Sequence, residues 1–158
     1  MIRSQVLICG GTGCTSSGSK QIQSEFVKNI KAKGLEGEIK LVQTGCFGLC
    51  ALGPVVIIYP EGTFYSQVKP EDVAEIVEEH LLKGRVVERL VYDETSVPHE
   101  DLDHDVSLAD TDFYRTQHRV ALRNCGVIDP ENIEEYIAVD GYAALGKVLT
   151  EMTPEQVI

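Results

Sequence analysis

Short apolar runs alternate with longer amphipathic stretches over the first ninety residues of the chain. The apolar runs predict four strands, at residues 5–8, 39–43, 55–59 and 63–68. The third run, Val55 to Tyr59, is apolar on both faces and therefore predicts a strand in the middle of a sheet. Two stretches carry apolar residues at helical spacing and predict helices. These positions are Ile22, Phe26, Val27 and Ile30 in the first helix, and Val73, Ile76, Val77 and Leu81 in the second.

Capping and turn residues fall at the ends of these predicted elements. Ser16, Ser17 and Ser19 are candidate N-caps for the first helix, and Gly34 is a candidate for its end. Pro70 suits the first turn of the second helix. The resulting order is strand, helix, strand, strand, strand, helix, which indicates an α/β protein with a thioredoxin-like fold over residues 1–91.

The charge of the chain excludes one large class of function. The formal net charge is -11, from 25 acidic and 14 basic side chains, and no basic stripe interrupts it, so nucleic-acid binding is not expected. No apolar run has the length of a membrane-spanning helix or of a signal-peptide core. We therefore expect a cytoplasmic protein without membrane insertion. In that compartment the five cysteines favour a set of metal ligands over a disulfide framework.

Negative charge is concentrated between Asp93 and Asp112, where eight acidic residues occur without a lysine or an arginine. This composition predicts that residues 92–112 form an acidic linker, kept extended by repulsion between its charges. His99 and His104 fall inside this stretch, and we expect them to be part of the solvated spacer.

Residues 113–158 differ in composition and predict a small helical segment. One helix is expected to begin at Asp129 and to run through Tyr136, a second is expected over residues 142–149, and a third is expected to begin at Thr153. A helix start so close to Ile158 indicates a piece of a longer polypeptide.

Two pairs of cysteines supply the candidate chemistry. Cys9 and Cys14 follow the first predicted strand, and Cys46 and Cys50 follow the second. If these strands are parallel neighbours, both pairs reach the same edge of the sheet. Thiolates are soft ligands that bind zinc, copper(I) or iron–sulfur clusters. The two cysteines of a zinc knuckle usually have two residues between them, whereas four residues lie between Cys9 and Cys14 and three between Cys46 and Cys50. Two separate pairs suit the two irons of a [2Fe–2S] cluster.

Glycines surround both cysteine pairs, at positions 10, 11, 13, 45 and 48. We expect their N–H groups to point at the sulfurs, which would raise the reduction potential of a cluster. We expect Phe47 and Leu49 to keep water away from it.

Ligand chemistry alone leaves zinc open as the bound metal. A zinc-stabilised adaptor that organises a complex without redox activity is therefore the alternative function. A thiol–disulfide oxidoreductase is disfavoured, because that chemistry uses Cys-x-x-Cys at a helix start. Cys125 has no partner pair and is expected to be a packed or loosely exposed thiol. His80 is expected to lie on the surface of its helix.

The stretch from Thr44 to Cys50 carries a family resemblance. Together with the two cysteine spacings and with Gly53-Pro54 ahead of an apolar strand, it resembles the thioredoxin-like [2Fe–2S] ferredoxins. These include the small iron–sulfur subunit of complex I and its relatives in bacterial multisubunit hydrogenases. The resemblance covers residues from about 5 to 91. It implies that one [2Fe–2S] cluster is held by Cys9, Cys14, Cys46 and Cys50 and that the domain transfers electrons.

A second resemblance lies in the C-terminal segment. Residues 122–131, with Gly141-Tyr142 further on, resemble the opening of the flavin-bearing, NADH-oxidising subunit of such complexes. A ferredoxin domain ahead of that opening is the layout of the HydB-type subunit of electron-bifurcating [FeFe] hydrogenases.

This second resemblance implies partners and cofactors. It implies an electron-transfer module of an NAD(H)-linked oxidoreductase whose partners are other iron–sulfur and flavin subunits. The resemblance to the ferredoxins raises homodimer formation as a further expectation. FMN and NAD(H) would bind in a remainder beyond Ile158. No catalytic residue is therefore assigned to this chain.

Overall fold

The computed structural model describes residues 2–92 and 116–158. The predicted linker with His99 and His104 lies outside the described residues, apart from Tyr92. The strands are β1 (Ser4–Cys9), β2 (Ile39–Thr44), β3 (Val56–Tyr59) and β4 (Thr63–Tyr65). The α-helices are α1 (Thr12–Ser16), α2 (Ser19–Ala32), α3 (Val73–Glu75), α4 (Ile133–Ala138), α5 (Ala143–Glu151) and α6 (Pro154–Val157).

The four strands form one mixed sheet in the order β2-β1-β3-β4. β1 is parallel to β2 and antiparallel to β3, and β3 is antiparallel to β4. The prediction that the run from Val55 to Tyr59 forms an inner strand is confirmed. β4 is shorter than the predicted run over residues 63–68, because the Ser66 N–H leaves the ladder and donates to the carbonyl of Leu90 at 3.0 Å.

Helix α2 covers one face of the sheet. Its buried side chains include Ile22, Phe26 and Ile30, as the helical spacing predicts. The same prediction was wrong for Val27, which is 54% exposed. At about 100° per residue, Val27 lies beyond the stripe that residues four apart define.

The N-terminus of α2 also differs from the prediction. Gly18, with a φ of 98°, occupies the N-cap position, and no side chain caps the helix. The serine caps predicted at Ser16 and Ser17 were wrong, because Ser16 ends α1 and the chain turns directly from α1 into α2. Gly34 follows the helix with a φ of 69°, which confirms the predicted stop.

The second predicted helix is one continuous helical segment over Pro70–Leu82 with three windings. It begins as a 3-10 turn (Pro70–Asp72), passes through α3, and continues as a π-helix (Ile76–Leu82). All four side chains of its predicted apolar stripe are buried.

His80 is 6% exposed, which corrects the prediction of a surface position. Its Nδ1 atom lies 2.8 Å from the hydroxyl of Tyr65, and the same hydroxyl accepts the Val87 N–H at 3.1 Å. Burial of the imidazole is tolerated because its polar atom is hydrogen-bonded. The partner is fifteen residues away in sequence, so helical periodicity carries no sign of it.

Strand side chains alternate between two hydrophobic clusters. One cluster joins Val6, Ile58 and their neighbours to α2 and to the Pro70–Leu82 segment. The other lies on the opposite face and joins Leu7 and Ile57 to Phe64, Cys9 and Cys14. Two of the candidate ligands are therefore part of a core.

The C-terminal segment forms the three short helices that its sequence predicts. The first begins later than predicted, because Asn132, rather than Asp129, is the N-cap of α4 and accepts the Glu134 N–H at 3.0 Å. A capping box between Thr153 and Gln156 opens α6. Among the described residues, no helix combines the length and the apolar character needed to cross a bilayer.

The adjacent residues Phe26 and Val27 test the packing of α2. We expect Phe26→Ala to lower the free energy of unfolding by about 3–5 kcal/mol, because it opens a cavity in a closed core. Val27→Ala is the matched control, and its effect should stay within about 0.5 kcal/mol. Urea unfolding of the anaerobically purified protein measures both, and equal losses would contradict this assignment of the buried face.

Candidate metal centre

The parallel pairing of β1 with β2 brings the two cysteine pairs to one edge of the sheet. Cys9 is the last residue of β1 and lies beside Thr44, the last residue of β2. Cys46 therefore follows within two residues of the same edge. The predicted meeting of the two cysteine-bearing segments at this edge is confirmed.

The first cysteine-bearing segment is more regular than a glycine loop. Thr12–Ser16 form the short helix α1, and Cys14 lies within it, a helix that the glycines around it do not indicate. The helix turns Cys14 inward, where it is 2% exposed. Gly10 uses its N–H to donate to the carbonyl of Thr44 at 2.9 Å and thereby ties the segment to β2 rather than to a sulfur.

The two segments approach each other closely through their glycines. A Cβ atom added at Gly11 would lie 3.0 Å from the Sγ of Cys46, and one at Gly13 would lie 3.5 Å from the Sγ of Cys50. A Cβ atom at Gly53 would lie 2.7 Å from the Sγ of Cys14. Backbone without side chains is therefore what leaves room for the sulfurs.

Electrostatic interactions link the four thiols. The Cys9 thiol adds to the effect of burial on the pKa of Cys14, the Cys46 thiol acts on the pKa of Cys50, and charges also act between the two segments. Within the described residues, no three His, Cys, Asp or Glu side chains gather tightly enough to hold a metal ion.

Protonation at the site follows from its surroundings. Burial, with a contribution from the Cys9 thiol, raises the pKa of the Cys14 thiol to about 11. The hydrogen bond with Cys46 raises the pKa of Cys50. Without a cationic guest these thiols keep their protons, so binding a metal as thiolates must release them.

The surroundings of the second pair agree in part with the prediction. Phe47 is buried and Leu49 is half-buried, and both pack in the same cluster as Cys9 and Cys14. The Gly48 N–H donates to the Sγ of Cys46 at 3.3 Å, as predicted for a glycine beside a sulfur. A backbone hydrogen bond from Val55 reaches Cys14, a donor that the glycine pattern does not indicate.

Comparison with known proteins identifies the family. A family model described as thioredoxin-like [2Fe-2S] ferredoxin matches residues 2–81. The chain belongs to this family. We refer to the part of the chain that contains these residues as the ferredoxin domain.

Known relatives of the ferredoxin domain agree with this assignment. A 2Fe-2S ferredoxin of Clostridium pasteurianum is 44% identical over 77 residues, which are 49% of this chain and 76% of the relative. A 2Fe-2S ferredoxin of Aquifex aeolicus is 44% identical over 86 residues, which are 54% of this chain and 78% of the relative. The structure of a thioredoxin-like [2Fe-2S] ferredoxin from Aquifex aeolicus matches at 38% identity with a TM-score of 0.54, covering 63% of this chain and 98% of that one. The thioredoxin-like fold is thereby confirmed.

The family assignment supplies the cofactor and the coarse function. The chain binds a [2Fe–2S] cluster, and its ferredoxin domain is an electron-transfer domain. A further relative is the NADP-reducing hydrogenase subunit HndC of Solidesulfovibrio fructosivorans, 55% identical over 51 residues. That match covers 32% of this chain and 10% of HndC.

Cys125 lies beside the ferredoxin domain, next to the second cysteine pair. Its Sγ atom is 3.6 Å from the carbonyl oxygen of Cys46, and a Cβ atom added at Gly45 would lie 3.3 Å from it. Cys125 is half-buried, in agreement with the prediction of a packed thiol. The sequence did not predict that Cys125 lies beside Cys46, because the contact joins residues that are 79 positions apart and no motif links them.

The close approach at Gly53 provides a test of the site. We expect Gly53→Ala to lower the iron content of the purified protein, because the added methyl group overlaps the Cys14 sulfur. The same overlap should lower the free energy of unfolding by about 1–3 kcal/mol. Gly37→Ala is the matched control, since a Cβ atom there meets nothing within 4 Å. Iron analysis and urea unfolding measure the two variants. Unchanged iron in Gly53→Ala would show that Cys14 is not tightly positioned by this glycine.

Proposed function

We propose that Cys9, Cys14, Cys46 and Cys50 are the ligands of the cluster, with one pair bound to each iron. The observation that carries this proposal is the close approach of the two segments, in which added Cβ atoms at Gly11 and Gly13 would lie 3.0 and 3.5 Å from the Sγ atoms of Cys46 and Cys50. A [2Fe–2S] cluster takes four thiolates, two on each iron. Four thiolates are also a ligand set for zinc, so a zinc-stabilised adaptor is the alternative that metal analysis must exclude.

The function that this site supports is a one-electron relay. When bound, the cluster supplies reversible transfer of one electron. The residues of the chain hold the sulfurs, exclude water through Phe47, and stabilise negative charge on Cys46 through the Gly48 N–H. No bond-making residue is required.

Electron exchange is proposed at the side of Cys46 and Cys50. These two residues are exposed, whereas Cys9 and Cys14 are buried. A redox partner therefore comes closest to the sulfurs from that side. The net charge of -11 favours a partner that presents basic residues.

The parent protein is proposed to be an NAD(H)-linked multisubunit oxidoreductase such as an electron-bifurcating hydrogenase. Support comes from the partial similarity to HndC and from the resemblance of residues 122–131 to a flavoprotein subunit. In this proposal residues 1–91 are the ferredoxin domain, residues 92–112 are a linker, and residues 113–158 begin a flavoprotein domain. FMN and NAD(H) belong to its remainder, and the partners are iron–sulfur and flavin subunits.

Metal analysis with two cysteine variants tests the ligand set. Protein purified without oxygen is expected to contain iron and acid-labile sulfide in equal amounts and to show visible absorption that dithionite bleaches. Cys46→Ser should lose most of this absorption, because it removes a ligand. Cys125→Ser removes the cysteine outside the proposed set and should retain all of it.

Two results would contradict the proposal in different ways. A colourless protein that contains zinc and no sulfide would overturn the relay and favour a zinc-stabilised adaptor. Loss of the cluster in Cys125→Ser, with full retention in Cys46→Ser, would overturn the ligand set and leave the relay standing.

A further inference from the structure

The C-terminal segment reaches back to the sheet face that carries the cysteine cluster. Lys40 alternates with Ile39 along β2, so it shares a face with Val42, which packs in the cluster of Cys9 and Cys14. Burial raises the pKa of the Tyr59 hydroxyl on the same face, and the charge of Arg119 opposes that shift. Residues 119–136, which we call the cover segment, thus contact this face.

A charged contact joins the cover segment to β2. The Nζ atom of Lys40 lies 2.9 Å from Asp129 and 2.7 Å from Glu135, and the three side chains are only 18–27% exposed. The hydrogen bond with Glu135 raises the pKa of Lys40, and Lys40 in turn lowers the pKa of Asp129. The Asp129 N–H donates to Glu135 at 2.7 Å and, with Lys40, lowers the pKa of Glu135. One cation therefore holds two carboxylates of the cover segment, one just before helix α4 and one inside it.

An uncharged contact joins the cover segment to the second cysteine loop. Gly126 is buried with a φ of 80°, and its backbone lies against Phe47, so that an added Cβ atom would be 2.4 Å from the ring. The Arg119 guanidinium donates to the carbonyl of Cys125 at 3.3 Å and fixes the adjoining backbone. A cleft of about 370 Å³, lined by Thr44, Gly45 and Tyr136 among others, separates the charged and uncharged contacts. The segment is therefore held by the charged contact, by the packing of Gly126 on Phe47 and by the contact of Cys125 with Cys46, with a cleft among them.

We propose that residues 119–136 form a detachable cover on the Cys46–Cys50 loop, held closed by the Lys40–Asp129–Glu135 ion pairs and by the packing of Gly126 on Phe47. Separate attachments with a cleft between them make the cover easier to open than a continuous core. Closure keeps the ring of Phe47 shielded from water, while Cys46 and Cys50 stay exposed.

Opening has a consequence for the cluster that rests on the proposed function. Reduction adds one negative charge to the cluster, and water stabilises that charge. An open cover is therefore expected to raise the reduction potential, and a closed cover to lower it.

A charge exchange across the contact tests the cover. In Lys40→Glu three carboxylates face one another, so the amides of residues 119–136 and of residues 46–50 should both exchange hydrogen about tenfold faster. Adding Asp129→Lys to Lys40→Glu restores one cation between two carboxylates and should return both segments to wild-type rates. Lys28→Glu makes the same charge change at an exposed ion pair on α2 and should leave both segments unchanged.

A neutral variant separates shielding from charge. Gly126→Ala cannot pack on Phe47 without displacing it, so it should speed exchange in both segments and shift the reduction potential upward without a change of charge. Its urea unfolding midpoint, measured alongside, shows whether the ferredoxin domain remains folded.

Hydrogen exchange separates failure of the cover from failure of the ligand set. Unchanged exchange in both Lys40→Glu and Gly126→Ala would overturn the cover, as would faster exchange that the double variant does not reverse. An altered exchange pattern with an unaltered potential in Gly126→Ala would overturn the shielding consequence. None of these readouts depends on which cysteines bind iron, which is tested by the iron content of Cys46→Ser.

Discussion

The parallel pairing of β1 with β2 is the constraint on which the rest of this molecule depends. Its register sets Cys9 beside Thr44, so the chain leaves both strands at the same edge. The segments that follow are then forced together, and glycines at 11, 13 and 53 let the backbone approach the sulfurs. A shift of this register by one residue would turn Cys9 to the opposite face and separate the two pairs.

The sheet serves two purposes on its two faces. The face toward α2 and the Pro70–Leu82 segment is closed by aliphatic and aromatic side chains and supplies ordinary core stability. The opposite face carries two of the thiols in its own cluster and is where the C-terminal segment attaches. Close packing on one face thus supports the cysteine-bearing and partly exposed surface on the other, an arrangement that suits a small electron carrier.

Local patterns predicted what depends on near neighbours in sequence. The order of strands and helices along the chain and the buried stripe from Val73 to Leu81 follow from short-range periodicity, and both agree with the structure. What the sequence did not reveal depends on distant partners. His80 can be buried because it forms a hydrogen bond with Tyr65. The Cys125 thiol contacts the carbonyl of Cys46, which lies 79 residues earlier in the sequence. No local pattern marks Lys40 as the centre of two ion pairs, since Glu135 lies 95 residues away in sequence and Asp129 lies in the same distant segment.

The hydroxyl of Tyr65 links three parts of the fold that no strand or helix joins. It accepts the Val87 N–H at 3.1 Å and lies 2.8 Å from the Nδ1 atom of His80. Tyr65 ends β4, His80 belongs to the Pro70–Leu82 segment, and Val87 follows that segment. One buried oxygen therefore ties the end of the sheet to the helical segment and to the chain that leaves it, so the polar groups at this junction are satisfied within the protein.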